Sequence, residues 1–149
     1  NFIIKIGTSV KELIDYCGGF TDDDVLVKMG GPMMGIATYS LDVPVVKGTS
    51  GILSFTAKET TVNSETSCIR CGKCVRVCPM GLVPAKLNAF AIRKNLEMCE
   101  KFNIMDCIEC GSCSYTCPAQ RHLVQSIRWG KQQAQIKRAK ERARGKKNG

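Results

Sequence analysis

The stretch Cys68-Ile-Arg-Cys71-Gly-Lys-Cys74-Val-Arg-Val-Cys78-Pro79 returns 39 residues later as Cys107-Ile-Glu-Cys110-Gly-Ser-Cys113-Ser-Tyr-Thr-Cys117-Pro118, with seven of the twelve positions identical. Eight of the ten cysteines in 149 residues are committed to these two blocks, and any fold the chain adopts must satisfy them. Scattered cysteines in a secreted protein read as disulfides. A repeated two-residue spacing in a chain with no recognisable export signal reads instead as metal ligation in a reducing compartment.

Both blocks follow C-x2-C-x2-C-x3-C-P. Three thiolates at two-residue spacing wrap a tight loop around three corners of an iron–sulfur cubane, and the fourth, followed by proline, is carried away to the cluster of the other copy. The expected ligand sets are Cys68, Cys71, Cys74 and Cys117 for a first [4Fe–4S] cluster, and Cys107, Cys110, Cys113 and Cys78 for a second. Gly72 and Gly111 let backbone amides close over the cluster sulfurs. Paired Cys-x2-Cys knuckles also bind zinc, but zinc has little use for a third cysteine two residues further on and a duplicated Cys-Pro fourth. Four thiolates per cluster leave substrate no position on iron, so the expected chemistry is one-electron relay. Arg70, Lys73, Arg76 and Lys86 accompany the first block, whereas Asp106 and Glu109 flank the second, which predicts the lower potential for the second cluster.

The rest of the chain predicts an α+β protein of two parts. Residues 1–60 form a small α+β unit: a strand at Phe2–Ile6, a short helix capped by Thr8 or Ser9 with Val10, Leu13 and Ile14 on its inner face, and a strand at Val25–Met29. Further extended pieces are expected at Ile36–Tyr39, Val45–Lys47 and Ile52–Phe55. The loop Gly30-Gly31-Pro32-Met33-Met34-Gly35 lacks the register of a dinucleotide fingerprint and precedes no helix, so it reads as a turn between strands. Residues 56–66 are polar and serve as a connector. Residues 67–127 hold the cysteine blocks, separated by a helix starting at Pro84 and a second one after Asn95, a helical dicluster domain rather than a compact hairpin one. The chain begins without methionine inside an apparent strand, as a piece of something longer would.

Of the net charge of +9, residues 128–149 supply nine basic residues against one acidic, so basicity belongs to a helical tail. Such a tail either stands in solvent or docks on an acidic partner or an anionic membrane face; without interleaved aromatics beyond Trp129, nucleic acid is not its expected ligand. No apolar run approaches the ~18–20 residues that cross a bilayer, so a soluble or peripheral protein is expected. Cys17 and Cys99 lie on apolar helix faces and read as core, Tyr115 and Trp129 as packing residues, and His122 as a bystander to a complete cysteine set.

The loop at residues 30–35, the segment Asp42-Val-Pro44-Val-Val-Lys47-Gly-Thr-Ser-Gly-Ile-Leu53, both cysteine blocks and Leu123-Val-Gln125 together resemble the C subunit of the Rnf electron-transport complexes, over roughly residues 1–130. The resemblance implies a β-grasp-like module of the SLBB type at 1–60, a dicluster ferredoxin-like domain at 67–127 and the basic tail. It also implies other Rnf subunits and ferredoxin-like or iron–sulfur proteins as partners, and a peripheral place on the cytoplasmic face of the cell membrane, in a complex that moves electrons between ferredoxin and NAD while pumping sodium ions or protons. In that family FMN and NAD(H) bind a preceding domain that this sequence lacks. Other enzymes with the same relay, such as corrinoid or heterodisulfide-type reductases, and an iron–sulfur regulator that binds nucleic acid, are the competing expectations.

Overall fold

The computed structural model describes residues 1–23, 25–60 and 64–145. Residues 61–63 of the expected connector and Lys146 and Lys147 of the tail lie outside the described residues. The chain divides into two units, Asn1–Val62 and Asn63–Gly149.

In the first unit, Ser9 caps α1 (Val10–Tyr16) by accepting a hydrogen bond from the Glu12 amide. The helix ends where Gly19 N–H reaches back to the Ile14 carbonyl. Three strands, β1 (Val25–Met29), β2 (Ile36–Thr38) and β3 (Ile52–Thr56), form an antiparallel sheet in the order β2-β1-β3. The register places Val27 opposite both Thr38 and Ser54. Val10, Ile14 and Val27 make the core, with Val25, Met29, Leu41 and Ile52 packed against them. Each fully buried aliphatic of this kind contributes about 1.5–3 kcal/mol. The glycine-rich loop joins β1 to β2, closed by a hydrogen bond from Gly35 N–H to the Gly31 carbonyl.

One expected strand is not there. Phe2–Ile6 forms none: residues 2–5 have no regular structure and Ile6 enters a turn, with Ile3 fully exposed. β-branched composition favours a strand only where a neighbour takes up its amides and carbonyls. Pairing starts only at Gly7 and Thr8, which exchange hydrogen bonds with Val45, and at a single bridge between Ser9 and Pro44. Those few bonds are also all the sheet-like pairing that Val45–Lys47 obtains.

The second unit repeats itself with the cysteine blocks. Each block forms a loop, one helical turn (α2, Lys73–Arg76; α5, Ser112–Tyr115), a Cys-Pro turn and then a longer helix (α3, Pro84–Ile92; α6, Leu123–Gly145). The hydrogen bonds repeat as well: Cys78 to Val75 and Gly81 to Cys78 in the first copy, Cys117 to Ser114 and Gln120 to Cys117 in the second. Pro84 supplies the first turn of α3 without wasting an amide. Between the copies lie α4 (Leu96–Lys101), whose Asn95 side chain caps the Met98 amide, and a 3-10 turn at Ile104–Asp106.

The copies meet along α3 and α6. Leu82, Leu87, Ala91, Cys99, Ile104, Ile127 and Ala134 form the shared core. Buried Asn88 on α3 binds Ser126 on α6 through its amide and accepts from Arg121 at 3.4 Å. At Gly130 a Cβ would stand 3.0 Å from Ala91 Cβ and 2.9 Å from Ile104 Cδ1, so glycine is what lets these elements come so close. The long helix α6 runs unbroken through residue 128, and Ala134 within it is fully buried. Glu100 on α4 pairs with Arg138 at 2.6 Å and with Lys137 at 3.8 Å. The basic segment expected to be a solvated or partner-bound tail thus gives its first turns to the core.

Gly130→Val should cost about 1–3 kcal/mol through overpacking between α3 and α6. Gln135→Val, at an exposed position of the same helix, should change stability by less than about 0.5 kcal/mol. Thermal unfolding of the two variants beside the parent checks both.

Candidate metal centres

The two cysteine loops share an unusual backbone. Arg70 and Glu109, equivalent residues of the two copies, are held at φ 56°, and Gly72 and Gly111 at φ 72° and 84°. Alternation of left-handed residues along a short loop turns successive amides inward, the geometry of an anion-binding nest. Gly72 and Gly111 cap the single-turn helices α2 and α5.

Two cavities lie against these loops. One, a narrow space, is lined by Cys78, Cys107, Cys110 and Cys113, with Leu82, Leu87, Val124 and Ile127 among its walls. The other is wider and is lined by Cys68, Cys71, Cys74 and Cys117. Each cavity therefore draws three cysteines from one block and the Cys-Pro cysteine from the other. His122 is exposed and lines neither. Among the described residues no three metal-ligating side chains converge on a point where a single ion could sit. Four thiols lining each cavity, three of them at two-residue spacing and the fourth a Cys-Pro cysteine, are the donor set of a polynuclear iron–sulfur cluster.

The surroundings fit a group that neutralises thiolates. Burial pushes the Cys113 thiol up to about 11. Burial raises Cys107 and Cys74 too, and for each of them the negative field of a cysteine from the other copy, Cys78 or Cys117, adds a smaller push. Cys110 moves the other way, chiefly because the Ser112 hydroxyl lies 3.5 Å from its sulfur and can donate to the thiolate. Bare thiolates are poorly tolerated in such a pocket; thiolates bonded to iron are not bare.

Electrostatics around the second loop differ from what the sequence suggests. Glu109 pairs with Arg128 at 2.7 Å and Lys131 at 3.6 Å, and Lys131 also donates to the Cys107 carbonyl at 2.6 Å. Helix α6 thus brings two cations to a block that reads as acidic in the chain. The first loop has no such cover. Residues 68–71 are all exposed, whereas Cys107, Glu109 and Cys110 are half-buried and Gly111 and Cys113 are buried.

Other candidates divide. Cys99 is fully buried, as a core residue should be, while Cys17 is exposed at the C-cap of α1. Tyr115 is 82% exposed and packs no core, because α5 ends after a single turn at the surface; Trp129 is also exposed, at 38%.

Two like cysteine loops over paired four-cysteine cavities, in a chain that also carries a small sheet unit, define a protein of the dicluster class. Comparison with known families agrees: residues 60–118 match the 4Fe-4S dicluster domain, and residues 1–37 match the SLBB domain. The chain is 47% identical over 146 residues to the C subunit of the proton-translocating ferredoxin:NAD(+) oxidoreductase complex of Clostridium ljungdahlii, covering 97% of this chain and 32% of that protein. It is 48% identical over 137 residues to the Na(+)-translocating counterpart of Acetobacterium woodii, covering 92% and 31%. The C subunit of the ion-translocating oxidoreductase complex of Rhodobacter capsulatus is 52% identical over 131 residues, 88% of this chain and 25% of its own. The chain belongs to this family, the C subunits of the Rnf complexes, and spans a third or less of the length of the relatives it matches.

Gly72→Ala and Gly111→Ala each place a Cβ on a left-handed residue and should each cost about 1–2 kcal/mol. The loss should appear as a lower unfolding temperature of the iron-loaded chain, measured anaerobically.

Proposed function

We propose that the chain is an electron relay in the C subunit of a membrane ferredoxin:NAD oxidoreductase, holding two [4Fe–4S] clusters through crossed cysteine sets. Cys68, Cys71, Cys74 and Cys117 would hold the first cluster; Cys107, Cys110, Cys113 and Cys78 would hold the second. The observation that carries this reading is the lining of the two cavities, each made of four cysteines and each drawing on both repeats. When bound, such clusters supply reversible one-electron chemistry. The chain's own residues fix the thiolates on loops stiffened by Gly72 and Gly111, wall the second site with aliphatic side chains, and set cations beside both.

FMN and NAD(H) belong, in this reading, to regions of the relatives outside the matched stretch, together with hydride chemistry and coupling to sodium ions or protons. The partners are the other subunits of the complex and iron–sulfur or ferredoxin-like electron carriers. No helix among the described residues is long and apolar enough to cross a membrane, so a place on the cytoplasmic face would be reached through those subunits.

Anaerobic quantitation should find eight irons per chain, with spin-coupled EPR signals after dithionite reduction. Cys78→Ser should chiefly damage the cluster held by Cys107, Cys110 and Cys113. Loss confined to the cluster of its own block would refute crossed ligation, and a colourless, zinc-loaded protein would end the relay reading altogether.

A further inference from the structure

We propose that the cationic rim around the first cysteine cavity is the docking surface for an acidic one-electron carrier protein, which makes the Cys68–Cys71 loop the chain's electron port. The inference rests on the relay reading and adds where its partner sits.

Four observations carry it. The lining of the first cavity includes Arg70, Lys73, Lys86 and Arg121 and no carboxylate, while the second cavity's only charged lining residue is Glu109. Among the described residues, ion pairs engage Arg121, Arg128, Lys131, Lys137 and Arg138, and none engages Arg70, Lys73, Arg76 or Lys86. From Ser67 to Asn95 the chain has six basic residues and no acidic one. At the centre of this charge Ile69 is 67% exposed, flanked by the exposed Cys68 and Cys71.

An apolar centre beside Arg70, Lys73 and Lys86, which no carboxylate pairs among the described residues, is the anatomy of a transient protein interface, and its sign selects an acidic partner. Electron transfer weakens steeply with distance, so a carrier gains most by docking where the thiolate loop is itself the surface. The second loop differs chiefly in charge: Ile108 is exposed there too, but Cys107 and Cys110 are half-buried and the loop's one carboxylate is already matched by Arg128 and Lys131. The exposed end of α6, with Lys140, Arg142 and Arg144, is the rival basic surface, but no cysteine loop lies beneath it in the described packing.

Binding can be measured without turnover, by calorimetric titration of an oxidised acidic 2[4Fe–4S] ferredoxin into the iron-loaded chain at 50 and 300 mM salt. Affinity should fall at least about tenfold across that range and by a similar factor in Arg70→Glu/Lys73→Glu at low salt. Lys86→Glu, outside the motif loop, should weaken binding in the same direction and guards against loss of iron in the double variant. Lys140→Glu/Arg142→Glu on the distal part of α6 should bind as the parent does. Absence of binding by the parent chain, insensitivity to salt, or a loss in the α6 variant matching that in the rim variants would overturn the port. Rim variants that keep iron and affinity but shift the midpoint potential would overturn it too, by showing that these cations serve only to offset cluster charge. Iron content and EPR of each variant report on the relay itself, so its failure is seen separately.

Discussion

The close approach of α3 and α6 holds the second unit together. Each cysteine block is a loop and a single turn of helix, too short to be stable alone, and each is followed by one of these two helices. Packing Ala91 against Gly130 and burying Leu87, Ile104 and Ile127 between the copies brings Cys78 of the first block to the cavity of the second, and Cys117 of the second to that of the first. The arrangement is reciprocal. Neither four-cysteine set exists within one repeat, so separating the helices would dismantle both together, and any group bound by the cysteines would in turn clamp the helices. Binding of such a group would therefore be coupled to folding in this unit, because a ligand that binds only the assembled form stabilises it by mass action.

What the sequence reveals on its own is governed by distance along the chain. The cysteine loops, the Ser9 and Asn95 caps, Pro84 at a helix start and the β1–β2 turn all depend on residues a few positions apart, and local chemistry specifies them. The crossed lining of the two cavities is legible for a different reason: a tight three-cysteine loop leaves its fourth cysteine pointing elsewhere, and the repeat offers it the other copy's cavity. The features that sequence reasoning misses all depend on tertiary context. Phe2–Ile6 has strand composition and no strand beside it. Tyr115 has a large ring and nothing over it. Glu109 looks like an uncompensated anion only until α6, which begins 14 residues later, folds back with Arg128 and Lys131.

That last difference breaks the symmetry of the two sites. The repeat offset of 39 residues puts Ala89 and Ile92 of α3 in the places of Arg128 and Lys131 of α6. Helix α3 ends at Ile92, and no side chain of it is seen to reach back to its loop as Lys131 reaches the Cys107 carbonyl. Two nearly identical cysteine loops are thus set in different surroundings: one half-buried, walled by aliphatics and with its glutamate paired, the other exposed and flanked by Arg70, Lys73 and Lys86, for which no carboxylate partner is found among the described residues.

Such asymmetry gives a direction in space to a pair of otherwise equivalent sites. In a buried site the low local dielectric makes each charge-assisted hydrogen bond count for more, so Lys131 and the loop amides have a strong hold on whatever charge resides there. At an exposed site water screens the same charges, and the cations act mainly outward, on what approaches. The repeat supplies two like loops, and the side chains at equivalent positions of the two helices, Arg128 and Lys131 against Ala89 and Ile92, set them apart. The residues that mark the difference, Lys131 and Arg128 on one side and Arg70 and Lys73 on the other, belong to no cysteine motif's ligand set, yet they decide which loop faces the interior and which faces a partner.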